Sequence, residues 1–116
     1  MSGDKRRSER TIPFVSDEEV VVLHKDGQAS VLAKMMDLSE LGTLVYLLNE
    51  GEAAPDAATL SVYHQGKVFE VPAKVVRRNG RLIALEFVNP PPEATHEIQS
   101  KLIRMEVEWM RLSRRQ

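Results

Sequence analysis

Residues 68–88 read VFEVPAKVVRRNGRLIALEFV, the pattern of a β-hairpin. Two apolar runs each alternate with polar residues, the period of a strand with one face in a core. Phe69, Val71, Ala73 and Val75 share one face of the first run, with Glu70 and Lys74 opposite. Ile83, Leu85 and Phe87 share one face of the second, opposed by Glu86. Between the runs, Asn79-Gly80 is a pair that tight hairpin turns favour, because those turns need positive φ. Pro72 has no amide to donate, so its strand is expected to be an edge or to carry a bulge there.

Upstream, the same alternation of short apolar runs and turn residues repeats. VVVLH (20–24) ends at Asp26-Gly27, and SVLAKMMD (30–37) is turned by DLSELG (37–42) into TLVYLL (43–48). After the polar loop NEGEAAPDA (49–57), TLSVYH (59–64) meets the glycine turn QGK. Six closely spaced strands with tight turns predict a mainly β fold, a six-stranded antiparallel β-barrel over residues 13–90. Downstream, NPPP (89–92) stops the sheet, since prolines cannot donate to a ladder but suit the first turn of a helix. From Glu93 the period changes. Ile98, Leu102, Met105, Trp109 and Leu112 form a helical stripe, and Ile103, Val107 and Met110 form a second one nearly opposite. The spacing predicts a C-terminal amphipathic helix over 91–116, with one face on the barrel and the other exposed or covered by a partner. Residues 1–12 read as a polar, flexible, arginine-rich arm.

The 116 residues suit one domain, and the formal net charge of −1 excludes a molecule that binds polyanions by overall charge. General nucleic-acid binding is therefore not expected. Cations cluster locally instead, in DKRRSER (4–10), RRNGR (77–81) and RLSRRQ (111–116). With no cysteine, disulfides and thiolate chemistry are excluded. No apolar run approaches the roughly 20 residues of a membrane span. The opening MSGDKRRSER has no apolar segment behind it, unlike a secretory signal, so a cytoplasmic protein without membrane insertion is expected. Five residues precede Arg6, so no upstream domain is expected for the arm to reorient.

Catalysis finds little support. His24, His64 and His96 lack metal-ligand spacing, and Ser39 has neither a neighbouring base nor a nucleophile-elbow pattern. No enzyme activity, metal or cofactor is expected. Binding chemistry is better represented. Arg6 and Arg10 stand four apart with Arg7 beside the first. Guanidinium groups keep their charge, grip phosphates with a planar fork, pair with guanine O6 and N7, and stack on bases. In DLSELG, the Asp37 carboxylate can accept from the N1 and N2 donors of guanine or from nearby backbone amides. The Ser39 hydroxyl can do either job on a smaller scale. Gly42 permits positive φ or close approach of a ligand to backbone.

Together, R-x-x-x-R (Arg6, Arg10), then D-x-S-x-x-G (Asp37, Ser39, Gly42) at a strand turn, then a β-meander and a final helix, resemble the PilZ domain family over residues 5–90. The resemblance implies a non-enzymatic receptor for the bacterial second messenger cyclic di-GMP. It implies that Arg6 and Arg10, helped by Arg7, hold phosphates and stack on guanine, while Asp37, Ser39 and Gly42 hold a guanine edge. From the clustered arginines beside a polar segment, the arm is expected to order on binding and to signal to an effector protein in motility, pilus or exopolysaccharide (biofilm) control. Two positions depart from the family pattern. Arg77 stands near a frequent aromatic and is expected as an extra ligand contact; Ala84 stands where glycine is frequent. The alternative is a PilZ-like interaction module acting through its C-terminal helix without ligand. That helix is also expected to serve a possible homodimer.

Overall fold

The computed structural model describes residues 11–15 and 19–114. Seven strands precede one helix: β1 (Ile12–Pro13), β2 (Val20–His24), β3 (Val31–Leu38), β4 (Gly42–Leu47), β5 (Ala57–His64), β6 (Lys67–Asn79), β7 (Leu82–Phe87) and α1 (Pro92–Arg114). All pairings are antiparallel, in the order β3-β2-β5-β6-β7-β4, and β4 pairs again with β3. Six strands thus close into the expected barrel, which leaves that ring no unpaired edge. The two-residue β1 is additional. It pairs with the end of β3, Ile12 opposite Leu38 and Pro13 opposite Asp37. There it continues the side of β3 that β2 occupies from Val31 to Lys34.

The inward residues follow the alternation read from the hairpin. Phe69, Val71, Ala73, Ile83, Leu85 and Phe87 are all buried. They join Val21, Leu23, Met35, Val45, Leu60 and Val62 from the other strands in one core. At about 25 cal/mol per Å2 of apolar surface removed from water, this core is the main stabilising term.

The helix starts at Pro92, a position where the missing amide costs nothing because first-turn amides have no intrahelical acceptor. Its buried stripe is Ala94, Ile98, Leu102 and Met105, which pack into the barrel core. None of the described residues after Met105 is buried. The second stripe stays outside, with Ile103 62%, Val107 39% and Met110 56% exposed.

Pro72 departs from the expectation. β6 is an interior strand, between β5 and β7, and its bulge falls between Val75 and Arg77. Proline is tolerated because β7 pairing ends at Phe87 opposite Ala73, one residue short of it. Only the Pro72 carbonyl is used on that side, accepting from Val88 N at 2.8 Å.

Gly42, which opens β4, is required by the closure of the ring. A Cβ there would collide with the carbonyl oxygen of Leu85 and lie 3.1 Å from its carbon and 3.2 Å from Glu86 Cα. The clash is with backbone, which cannot swing aside. Gly42→Ala should therefore push β4 off β7 and lower the unfolding free energy by about 1–3 kcal/mol, as overpacking does. Urea denaturation measures this. A loss under about 0.5 kcal/mol, the scale of an ordinary surface change, would show the β4–β7 approach to be slack.

Candidate ligand-binding site

Side chains on one strand alternate between core and solvent, so one inserted residue reverses which positions face out. β3 buries Val31, Ala33 and Met35, so Asp37 would come next into the core. The register instead shifts between Met35, opposite Val45, and Asp37, opposite Leu44. Met36 is the extra residue. Beyond it Leu38 turns inward and Asp37 joins the half-exposed Leu44 on the outer face. β6 does the same. It buries Phe69, Val71 and Ala73, and the register shifts between Val75 and Arg77. Arg77 then pairs with the half-exposed Ala84 on the outer face.

Both bulges open onto one shallow cleft of about 290 Å3. Asp37, Ser39, Gly42 and Arg77 line it together, and Ala84 lies in its wall. Thr11, the residue after Arg10, is at its rim. Four of the seven expected site residues are thus brought together. The other three, Arg6, Arg7 and Arg10, lie outside the described residues. Sequence reading missed Val76, Leu41 and Glu86, which also line the cleft. Val76 is 56% exposed on the ordinary outward parity of Glu70 and Lys74, and the bulge there puts Arg77 on the outer face as well; a bulge has no residue signature in this run.

The turn carrying Asp37 and Ser39 is held from within. Ser39 Oγ accepts from Leu41 N and Gly42 N, both at 3.2 Å, and donates to Gly42 O at 3.3 Å. Ser39 N donates to the same carbonyl at 2.9 Å. The serine is therefore spent mainly on shaping the turn. Asp37 Oδ1 accepts from Leu44 N at 3.1 Å, and its backbone carbonyl accepts from the buried Thr43 hydroxyl at 2.6 Å. Among the described residues Oδ2 has no partner. Burial pushes the Asp37 carboxyl above its ordinary pKa, and the Leu44 amide partly opposes this. Gly42 serves the approach of β7, as described above, and has no positive φ.

The cationic run 77–81 separates into three roles. Arg78 binds the Ala54 carbonyl at 3.0 Å and Asp56 at 2.6 Å. Arg81 binds the Leu47 and Leu48 carbonyls at 3.0 and 2.6 Å and stacks 4.6 Å from the Tyr46 ring centre. Arg77 alone of the three has no partner among the described residues. It is the one that faces Asp37 across the cleft.

The histidines lie apart from this site. His24 Nε2 is 2.9 Å from Ser61 Oγ and 3.3 Å from Glu70. His64 is buried and 3.1 Å from Ser100 Oγ; burial first, then the Lys101 charge, pushes its pKa down. His96 is exposed on α1.

A search of curated protein sequences returns no match. Solved structures do match. The PilZ domain with cyclic di-GMP of YcgR from Escherichia coli aligns with a TM-score of 0.75 at 16% identity, over 93% of this chain and 97% of that one. The Legionella protein Lpg0364 aligns at 0.61 and 16% identity, over 87% and 98%. The PilZ domain of CeSA from a cellulose-synthesizing bacterium aligns at 0.60 and 18% identity, over 84% and 94%. At such identities these likenesses speak for the fold. The PilZ domain family model, however, matches residues 4–105, which take in the arm, the barrel and the buried part of α1. The chain belongs to the PilZ domain family.

Proposed function

We propose that this domain is a non-enzymatic receptor for cyclic di-GMP that reports the nucleotide to a partner protein. One observation carries the reading. Asp37 and Arg77, on different strands, are both turned outward by bulges onto a cleft that reaches Thr11, where the arginine arm joins the barrel. Membership of a family of cyclic di-GMP receptors supports it, as does the fold shared with a PilZ domain solved with that ligand.

The residues divide the work by chemistry. Asp37 Oδ2 accepts from the N1–H and N2–H2 edge of one guanine, while Oδ1 stays on Leu44 N. Arg6 and Arg10, with Arg7, neutralise the two phosphates and lie flat on the bases. Arg77 adds a cation from the opposite wall. Ser39 and Gly42 act through the turn, one by fixing its shape and the other by letting β4 meet β7. Without ligand, four cations in residues 4–10 repel one another. The dianionic ligand relieves that repulsion and folds the arm over the cleft, an order-on-binding change.

Titration calorimetry with cyclic di-GMP tests the site. Wild type should bind at micromolar or tighter affinity. Asp37→Asn should keep the bond to Leu44 N but present a donor where guanine also donates. A hydrogen bond to a charged group contributes about 1.5–3 kcal/mol, so affinity should fall at least about tenfold. Arg6→Ala should fall similarly. The raised Asp37 pKa means that the unfolded carboxyl ionises first, so rising pH removes stability until the folded group ionises too. Asp37→Asn should therefore be no less stable than wild type at pH 7, separating lost binding from lost folding. Tight binding by both variants would remove the site as drawn.

Hydrogen exchange tests the arm. The amides of residues 4–12 should slow at saturating nucleotide while core strands stay as they were. Equal exchange with and without ligand would exclude ordering.

A second reading is favoured by the exposed stripe Ile103, Val107 and Met110. It makes the helix a contact surface, for a second copy or an effector, with motility, pilus and exopolysaccharide control as the expected settings. Light scattering should then show a concentration-dependent rise in mass that Met110→Glu abolishes. A monomer at high concentration, unchanged by that substitution, would count against self-association.

A further inference from the structure

β1 is only two residues long, and a pair so short has little stability of its own. Its ladder joins the candidate site directly, because Pro13 sits opposite Asp37. On another side it is held by the helix. The Pro13 carbonyl accepts a 2.7 Å hydrogen bond from Trp109 Nε1, a contact across nearly the whole chain. A second tie lies next to it. Lys101 is 6% exposed, yet its Nζ is 2.9 Å from Glu19 and 5.5 Å from the Phe14 ring centre. It also donates to the Tyr63 carbonyl at 3.4 Å. The chain is thus pinned to α1 both where it leaves β1, at Pro13 and Phe14, and where it approaches β2, at Glu19.

We propose that Trp109, supported by Lys101, is a positioning residue of the nucleotide site, and that β1 links that site energetically to the C-terminal helix. The proposal rests on the receptor reading above. The reasoning is mechanical. β1 fixes where Thr11 meets the cleft. Trp109 fixes β1. A ligand that orders the arm must stabilise β1, and with it the indole contact. By linkage the reverse holds: whatever tightens or loosens the helix changes nucleotide affinity by the same factor. The elements involved suit this role, because marginally stable segments are the ones that bound groups can shift. Trp109 lies beyond Met105, where the family match ends, so this tie is read from the chain's own residues. Met110, on the exposed stripe, is the next residue along the same helix. A protein seated on that stripe would therefore feel the nucleotide without touching it.

The chain has one tryptophan, so one indole N–H signal reports the contact. Cyclic di-GMP is titrated into the full-length wild type and into Trp109→Phe, which keeps an aromatic ring but removes the donor. The wild-type indole resonance should shift in step with binding. Trp109→Phe should weaken binding about fivefold, the equivalent of one neutral hydrogen bond of about 1 kcal/mol. It should retain the wild-type strand and helix spectrum by circular dichroism. Binding with an unmoved indole signal, or a variant that binds as tightly as wild type, would overturn the link and leave the receptor reading intact. No binding by wild type would overturn both. Because the indole signal is read in the wild type, the proposal is tested even if the variant folds poorly.

Discussion

Side-chain parity in a closed ring is the constraint on which the rest of this molecule depends. Once six strands close, every residue is committed to the core or to solvent by its position in the register. Asp37 and Arg77 both fall on the inward parity of their strands, as set by Met35 and Ala73. An ionised carboxylate and a guanidinium cannot stay in an apolar core without heavy desolvation cost. The bulges at Met36 and Val76 resolve the conflict at the same end of the barrel. They turn two polar residues outward without disturbing the apolar alternation before them. The cleft is the consequence, since each bulge bends its strand and interrupts the ladder beside the other.

Inside that cleft, groups that look equivalent in the sequence differ in what they have left to give. The Ser39 hydroxyl makes three hydrogen bonds within its own turn. Gly42 is fixed by backbone behind it rather than by anything in front of it. Asp37 is the exception. It is half-buried, its carboxyl is pushed up by desolvation, and one oxygen lacks a partner among the described residues. A carboxylate that costs stability and is only partly satisfied is a candidate for contact with something outside the chain. Arg77 is its counterpart on the opposite wall.

Much of the barrel was legible because local signals and global packing agree there. Alternation in 69–75 and 83–87 is strict, and Asn79-Gly80 leaves little choice of turn. The helix was legible from its change of period after the prolines. Three features were not. β1 is two residues long, too short to show a period, and Pro13 argues against a strand. The bulges leave no residue signature, so the parity of Asp37 and Arg77 could not be read. Pro72 was misplaced for a related reason: its tolerance depends on where β7 stops pairing, a long-range fact. For the candidate site, the motif at 37–42 named a turn that lines the same cleft as Arg77, which was itself named from a resemblance. That Arg78 and Arg81 are engaged within the chain, while Arg77 has no partner among the described residues, emerges only from their surroundings in space.

The helix repeats the same lesson in another form. A period of 3.6 identifies two apolar stripes but not how far the first one reaches. Burial ends at Met105, one turn before Trp109. Trp109 keeps its hold through an N–H group rather than through burial, which a hydrophobicity pattern cannot register. Lys101 shows the converse. It is a charged residue on the covered side of the helix, accommodated because Glu19, the Tyr63 carbonyl and the Phe14 ring meet its ammonium group. Breaking any one of those partnerships would leave the buried charge less well satisfied, so the lysine constrains the chain beside β1 more firmly than an apolar residue would. Polar contacts of this kind are directional, and direction is what a positioning role requires. The indole and the ammonium add directional contacts to the packing of Ala94, Ile98, Leu102 and Met105, and through them the start of the barrel, the Asp37 turn and the helix meet around Pro13.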